Sequence, residues 1–100
     1  MESLVAIGID VHKDKFALVA ILLILGAQDQ ILGEIEVGPD YKEILAFIES
    51  IKQKSLPGQT YSFVCGYEAG CLGYVLYHQL TAAGVRCVIM APTTMLSEQG

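Results

Sequence analysis

The chain has 100 residues, 53% of them hydrophobic and only 17% charged, with a formal net charge of -5. This length suits one domain with a single core, residues 1–100, and the apolar composition excludes a disordered chain. The acidic balance argues against tight nucleic-acid binding by this chain alone, because that affinity comes mainly from Lys and Arg neutralising phosphates.

Neither a membrane segment nor a cysteine-based site is predicted. The longest apolar run, residues 16–27, has twelve residues, well short of the roughly 20 that span a bilayer, and no signal-peptide pattern precedes it. We therefore expect a cytoplasmic protein without a membrane partner. Cys65, Cys71 and Cys87 include no C-x-x-C pair, so buried thiols are a simpler interpretation than a zinc site or a disulfide framework.

The first part of the chain predicts a three-stranded meander. Residues 4–10 form a β-branched run typical of a buried strand, residues 16–25 are consecutively apolar, and residues 30–37 alternate between apolar and polar. Periodicity alone leaves the middle run open to a short buried helix. Its position between two strand signals with tight turns favours a strand.

Helix and strand signals alternate in the rest of the chain. Asp40 and Glu43 form a variant of the capping box ahead of a helix predicted over about residues 41–54. Residues 60–67 predict a strand, and residues 85–90 predict the last one. Between them, mostly apolar residues at helical spacing mark one face of a second helix: Leu72, Val75, Leu76, Gln79, Leu80 and Ala83.

The second helix should end at Gly84, and Pro92 should close the last strand. A strand, a helix and a strand in succession imply a parallel pair with a right-handed crossover. The predicted fold class is therefore α/β, with a mixed five-stranded sheet in the order βββαβαβ.

Two acidic residues lie at the carboxyl ends of predicted strands, Asp10 after the first and Glu68 after the fourth. In open α/β sheets, ligands bind at that edge. Two carboxylates there repel each other unless a divalent cation lies between them, and oxygen ligands suit Mg²⁺ or Mn²⁺. The pattern points to metal-dependent phosphoryl transfer, with a solvated carboxylate at each strand end as the alternative.

Three basic side chains follow Asp10 closely. His12 could contact a metal or a phosphate, and Lys13 and Lys15 could meet a phosphate backbone. A solvated turn is the simpler interpretation of all three.

The segments GIDVHKDKFALVAI, GEIEV, VCGYEAGCLGYVLYHQL and GVRCVIMAP resemble the amino-terminal domain of DEDD-type insertion-sequence transposases, the insertion-sequence 110 family. The resemblance covers nearly the whole chain and rests on G-I-D-V-x-K and Y-E-A-G in that order. It implies an RNase H-like fold similar to the Holliday-junction resolvase RuvC, in which the acids Asp, Glu, Asp and Asp bind two divalent metals and cut DNA. By this resemblance, Asp10 is the first catalytic, metal-binding acid and Glu68 the second, with Mg²⁺ or Mn²⁺ as the cofactor.

The sequence also departs from that family. After Glu68 the only acid is Glu98, so the third and fourth ligands have no candidate, and a carboxyl-terminal helix is not predicted after Pro92. By the resemblance, DNA and in some members a structured guide RNA are partners of the full-length protein. We expect the 100-residue chain neither to cut duplex DNA nor to bind it tightly.

Two other function classes stay open. A first-strand G-x-D followed by a meander also occurs in actin-like ATPases and sugar kinases, where small residues after the aspartate cradle phosphate; residues 11–13 supply none. The chain could instead be a non-catalytic, self-associating scaffold. Residues 16–25 lack alternation, as in a strand covered on both faces, so we expect a homo-oligomer with Leu22, Ile24 or Leu25 at the contact.

Overall fold

The structure is a computed structural model that describes residues 2–68 and 74–90. Its elements are, in chain order, β1 (Glu2–Val11), β2 (Phe16–Leu23), β3 (Gln30–Val37), α1 (Tyr41–Lys52), β4 (Thr60–Glu68), α2 (Val75–Ala82) and β5 (Arg86–Met90). The predicted α/β class with a mixed five-stranded sheet is confirmed, and this arrangement is compatible with an RNase H-like fold. Neither described helix is long and apolar enough to cross a bilayer.

The five strands lie in the order β3-β2-β1-β4-β5, which makes β1 the central strand. The first three strands form an antiparallel meander, while β4 pairs parallel with β1 and β5 pairs parallel with β4. The run after Phe16 is therefore a strand, as predicted, and it ends at Leu23. Because β1 and β4 are parallel, their carboxyl ends meet at one edge of the sheet.

Both helices pack on the same face of the sheet. The hydrophobic core combines buried residues of β1, β2 and β4 with Ile44, Phe47, Ile48 and Ile51 of α1 and with Leu76 and Leu80 of α2. Strand side chains alternate between faces. Since Ile7 and Ile9 belong to this core, Gly8 and Asp10 face the other side, which we call the open face.

The apolar run of β2 uses both faces of the sheet. Phe16, Leu18 and Ala20 are buried beneath the helices, whereas the residues between them are half-buried on the open face. Within the described residues, nothing covers that second face. Beyond the strand, Ile24 is exposed and Leu25 is fully exposed.

The start of α1 follows the sequence prediction with one difference in its cap. Asp40 is the N-cap residue, and its carboxylate accepts a hydrogen bond of 2.9 Å from the backbone N–H of Lys42. The predicted capping box would have joined this carboxylate to the N–H of Glu43, which instead donates to the backbone carbonyl of Asp40. Both arrangements satisfy an amino-terminal donor of the helix. The helix ends at Lys52, two residues before the predicted end.

The buried face of α2 is narrower than the sequence predicts. Leu76 and Leu80 are buried, but Val75 and Gln79 are exposed. An eight-residue helix meets the sheet through one stripe of residues spaced by four, so its other apolar positions stay in solvent. Gly84, with φ of 87°, follows the helix end as predicted. The predictions for Leu72, Cys71, Pro92 and Glu98 lie outside the described residues.

Two cysteines lie side by side on neighbouring strands of the sheet. Cys65 of β4 and Cys87 of β5 are direct partners in the parallel ladder, and both are free. Cys65 is fully buried and Cys87 half-buried. Burial raises the pKa of the Cys65 thiol to about 12, and it also raises the pKa of Cys87.

We expect the folded chain to protect Cys65 from alkylation at pH 8, because the thiolate is the reactive species. The folded pKa lies above the ordinary value of 9.0, so this burial stabilises the fold below pH 9 and the contribution is lost as the pH rises towards 12. Pulse labelling with iodoacetamide, read by mass spectrometry, should modify Cys65 only as urea unfolds the chain. Labelling in native buffer at the rate seen in urea would contradict this account.

Candidate functional site

A groove of about 470 Å³ lies on the open face at the carboxyl ends of β1 and β4. Its walls come from β1, β2, β3, β4 and β5, and its lining residues include Asp10 and Glu68. The structure thus brings the two sequence-predicted acids into one concave surface.

Strand register explains why both acids face this groove. Gly8 of β1 and Gly66 of β4 are direct partners in the parallel ladder. The next residues on the same face are Asp10 and Glu68, two positions further along each strand. Between them lie Ile9 and Tyr67, which are buried beneath the helices.

Gly8 of β1 also lines the groove. A Cβ atom at this position would lie 3.2 Å from Cγ1 of Val19, closer than a comfortable van der Waals contact. A glycine inside a strand commonly marks a place where another backbone or a ligand approaches closely. At Gly8 the close neighbour is the side chain of Val19, which packs against the glycine from β2.

Asp10 has a neighbour from the β1–β2 turn. Its Oδ2 atom lies 3.3 Å from Nε2 of His12, and the Asp10 and His12 side chains are 74% and 47% exposed. The turn is closed by a hydrogen bond of 2.9 Å from the backbone N–H of His12 to the carbonyl of Lys15. His12 therefore contacts the first predicted acid and stays about half exposed to solvent. At this exposure, such a pair contributes little to stability.

Glu34 also lines the groove, and the sequence analysis did not identify it. It pairs with Val19, which in turn pairs with Gly8, so all three lie on the open face. The signal was the alternation of β3, which places Glu34 opposite its apolar residues. The next residue on that face, Glu36, is held by Lys15 at 3.2 Å.

The potential metal ligands in the groove are few. Among the described residues, no group of three or more Asp, Glu, His or Cys side chains comes close enough to hold a metal ion. Mg²⁺ keeps several waters and is usually bound by one or two carboxylates together with substrate phosphates. Asp10 and Glu68 are two carboxylates that line the same groove, the number such a site would require.

Tyr67 fixes the end of β4 from the opposite side of the sheet. This side chain is fully buried, and its hydroxyl accepts a hydrogen bond of 3.1 Å from the backbone N–H of Tyr77. Tyr77 lies in the first turn of α2, whose N-cap residue Tyr74 makes no side-chain capping bond. Tyr67 therefore satisfies a helix donor and ties the residue next to Glu68 to α2.

The chain matches no model of a known protein family. Among solved structures, it is similar to the PPX-GPPA enzyme of Aquifex aeolicus, with a TM-score of 0.41 and 12% identity, over 93% of this chain and 36% of that chain.

A sequence relative gives a closer match. The chain is 33% identical over 92 residues to the transposase for insertion sequence element IS1533 of Leptospira borgpetersenii. The aligned part is 92% of this chain and 24% of the relative, so the chain spans about a quarter of the length of the curated relative. This similarity supports a relationship to insertion-sequence transposases, as the two sequence motifs predict.

Tyr67→Phe should lower the free energy of unfolding by about 1–2 kcal/mol, because it removes the acceptor for the Tyr77 N–H and leaves that donor unsatisfied. Urea unfolding followed by circular dichroism measures this loss. Tyr61→Phe is the matched control, since the half-buried ring of Tyr61 packs edge-on against Phe63 and should lose less than about 0.5 kcal/mol. Equal effects of the two substitutions would contradict the capping role.

Proposed function

We propose that this chain is an amino-terminal catalytic-domain segment of a DEDD-type insertion-sequence transposase of the insertion-sequence 110 family, with an RNase H-like, RuvC-like fold. The observation that supports this most is the position of Asp10 and Glu68 in one groove at the carboxyl ends of adjacent parallel strands. The similarity to a transposase over 92% of the chain supports a transposase segment. Metal-dependent DNA cleavage and strand transfer would then be the activity of the full-length protein.

Asp10 and Glu68 would hold Mg²⁺ or Mn²⁺ in this groove. Such an ion, when bound, stabilises charge on phosphoryl oxygens and orients the phosphate. The protein's own contribution is placement, because the β1–β4 ladder sets the two carboxylates on one face. The negative charge of the two acids repels a phosphate, and a bound cation would reduce this repulsion.

Further partners follow from the same proposal. DNA would be the substrate of the full-length protein, and a structured guide RNA would be a second partner, as in some members of the family that the motifs resemble. A later D-x-x-D pair would supply the remaining acidic ligands from outside these 100 residues. The 100-residue chain would then bind a cation weakly and leave duplex DNA uncut.

We expect isothermal titration calorimetry to detect weak Mn²⁺ binding by the chain. Asp10→Asn and Glu68→Gln should each weaken it about tenfold or more, since each removes one of two anionic ligands. Glu49→Gln is the control: it removes the same charge from α1, where Glu49 pairs with Lys52 at 3.2 Å, and should leave Mn²⁺ affinity within about twofold. Loss of binding in all three variants alike would show a general charge effect and would contradict the site.

A self-associating scaffold is a second candidate function, favoured by a specific observation. Around the β2–β3 turn, several apolar side chains are exposed: Leu23, Ile24, Leu25 and Ile31. Monomeric proteins rarely leave such side chains together in solvent. A second copy of the chain would bury them.

We expect light scattering to show a homo-oligomer at micromolar concentration. Leu25→Lys should weaken the association about tenfold, because a charge replaces a fully exposed apolar side chain at the proposed contact. Leu56→Lys is the matched control, since Leu56 is 70% exposed in a different loop and should leave the oligomer unchanged. A monomeric parent chain would contradict the scaffold proposal, and so would equal effects of the two substitutions.

A further inference from the structure

A second cavity, of about 430 Å³, lies on the other side of the β1–β2 turn from the groove. The turn residues His12 and Lys13 line it, together with Asp40, Tyr41 and Lys42 from the start of α1. His12 links the two concavities, because it lines this cavity while its Nε2 atom lies 3.3 Å from the Asp10 carboxylate in the groove.

This cavity is lined by two lysines that form no salt bridge with a carboxylate of the described residues. The sequence contains six Lys and Arg residues. Three of them donate to a described carboxylate or carbonyl oxygen: Lys15, Lys52 and Lys54. Of the other three, Lys13 and Lys42 both line the cavity. Two lysines and a single carboxylate, that of Asp40, thus give the cavity lining a positive balance in a chain with a net charge of -5.

The other lining groups suit an oxyanion. Gln79 and Tyr41 add neutral hydrogen-bond donors. Among the lining residues, Asp40 is the one acid; its carboxylate accepts the backbone N–H of Lys42 at 2.9 Å and keeps its negative charge, which offsets one of the two lysines. The first turns of α1 and α2 border the same space and add a smaller positive potential.

We propose that this cavity binds a backbone phosphate of the DNA strand whose neighbouring phosphate enters the groove at Asp10 and Glu68. This inference rests on the proposed function, since it extends the path of the same substrate around the β1–β2 turn. Lys13 and Lys42 hold the phosphate by charge-assisted hydrogen bonds. Together they offset the repulsion that the acidic groove exerts on the strand.

The test is a two-dimensional NMR titration of the 100-residue chain with a short single-stranded oligothymidylate, at low salt and with a chelator to exclude metal. We expect the amide signals of the β1–β2 turn and of the start of α1 to shift. Lys13→Gln combined with Lys42→Gln should weaken binding about fivefold or more and reduce the salt slope by about 0.7, the value for one lost single-strand phosphate contact. Lys52→Gln combined with Lys54→Gln makes the same charge change at the end of α1 and should alter affinity less than about twofold.

Each outcome decides the proposal. No shifts in the parent chain, or equal weakening by the two double variants, overturns it. Binding of oligouridylate but not of oligothymidylate also overturns it, because the strand would then be RNA. The Mn²⁺ titration is made without nucleic acid, and the oligonucleotide titration is made without metal. If Mn²⁺ binds but the lysine substitutions have no effect, only the proposed phosphate site is contradicted. If the lysine substitutions weaken binding but Mn²⁺ does not bind, only the proposed metal site is contradicted.

Discussion

The parallel pairing of β1 with β4 is the constraint on which the candidate site depends. Gly8 lies opposite Gly66, and this register places Asp10 and Glu68 on the open face while Ile9 and Tyr67 enter the core. A slip of β4 by one residue would exchange its faces. It would push the Glu68 carboxylate beneath α2, where an unpaired charge costs several kcal/mol. The core therefore sets the register, and the register sets the site.

The two faces of the sheet have separate tasks. The helix-covered face supplies stability through a continuous apolar core, and Tyr67 joins its edge to the first turn of α2. The open face carries the groove, where exposed acids cost little because water solvates them. The β1–β2 turn lies between the groove and the second cavity. Asp10 lies on the groove side, and Lys13 and Lys42 line the cavity on the other side together with Asp40.

Fold class and the acid pair could be predicted because they depend on short-range patterns. Apolar runs bounded by turns gave the strands, and a carboxylate after an apolar run placed Asp10 and Glu68 at strand ends. Glu34 was not predicted as a groove residue. The alternation of β3 gives the face on which it lies, but its place in the groove depends on the register of β1, β2 and β3. The hydrogen bond from the Tyr77 N–H to the Tyr67 hydroxyl could not be predicted either, because it joins α2 to β4 in the folded structure. It takes the place of a side-chain cap at Tyr74.

The central claim is that Asp10 and Glu68 converge on one divalent cation. Crystals of the chain grown with Mn²⁺, measured for anomalous scattering, test it most directly. The account predicts an anomalous peak in the groove with an oxygen of each carboxylate at about 2.1 Å, the distance typical of hard octahedral cations. A groove without a peak, or a peak bound by one of these carboxylates while the other points away from it, would contradict the account.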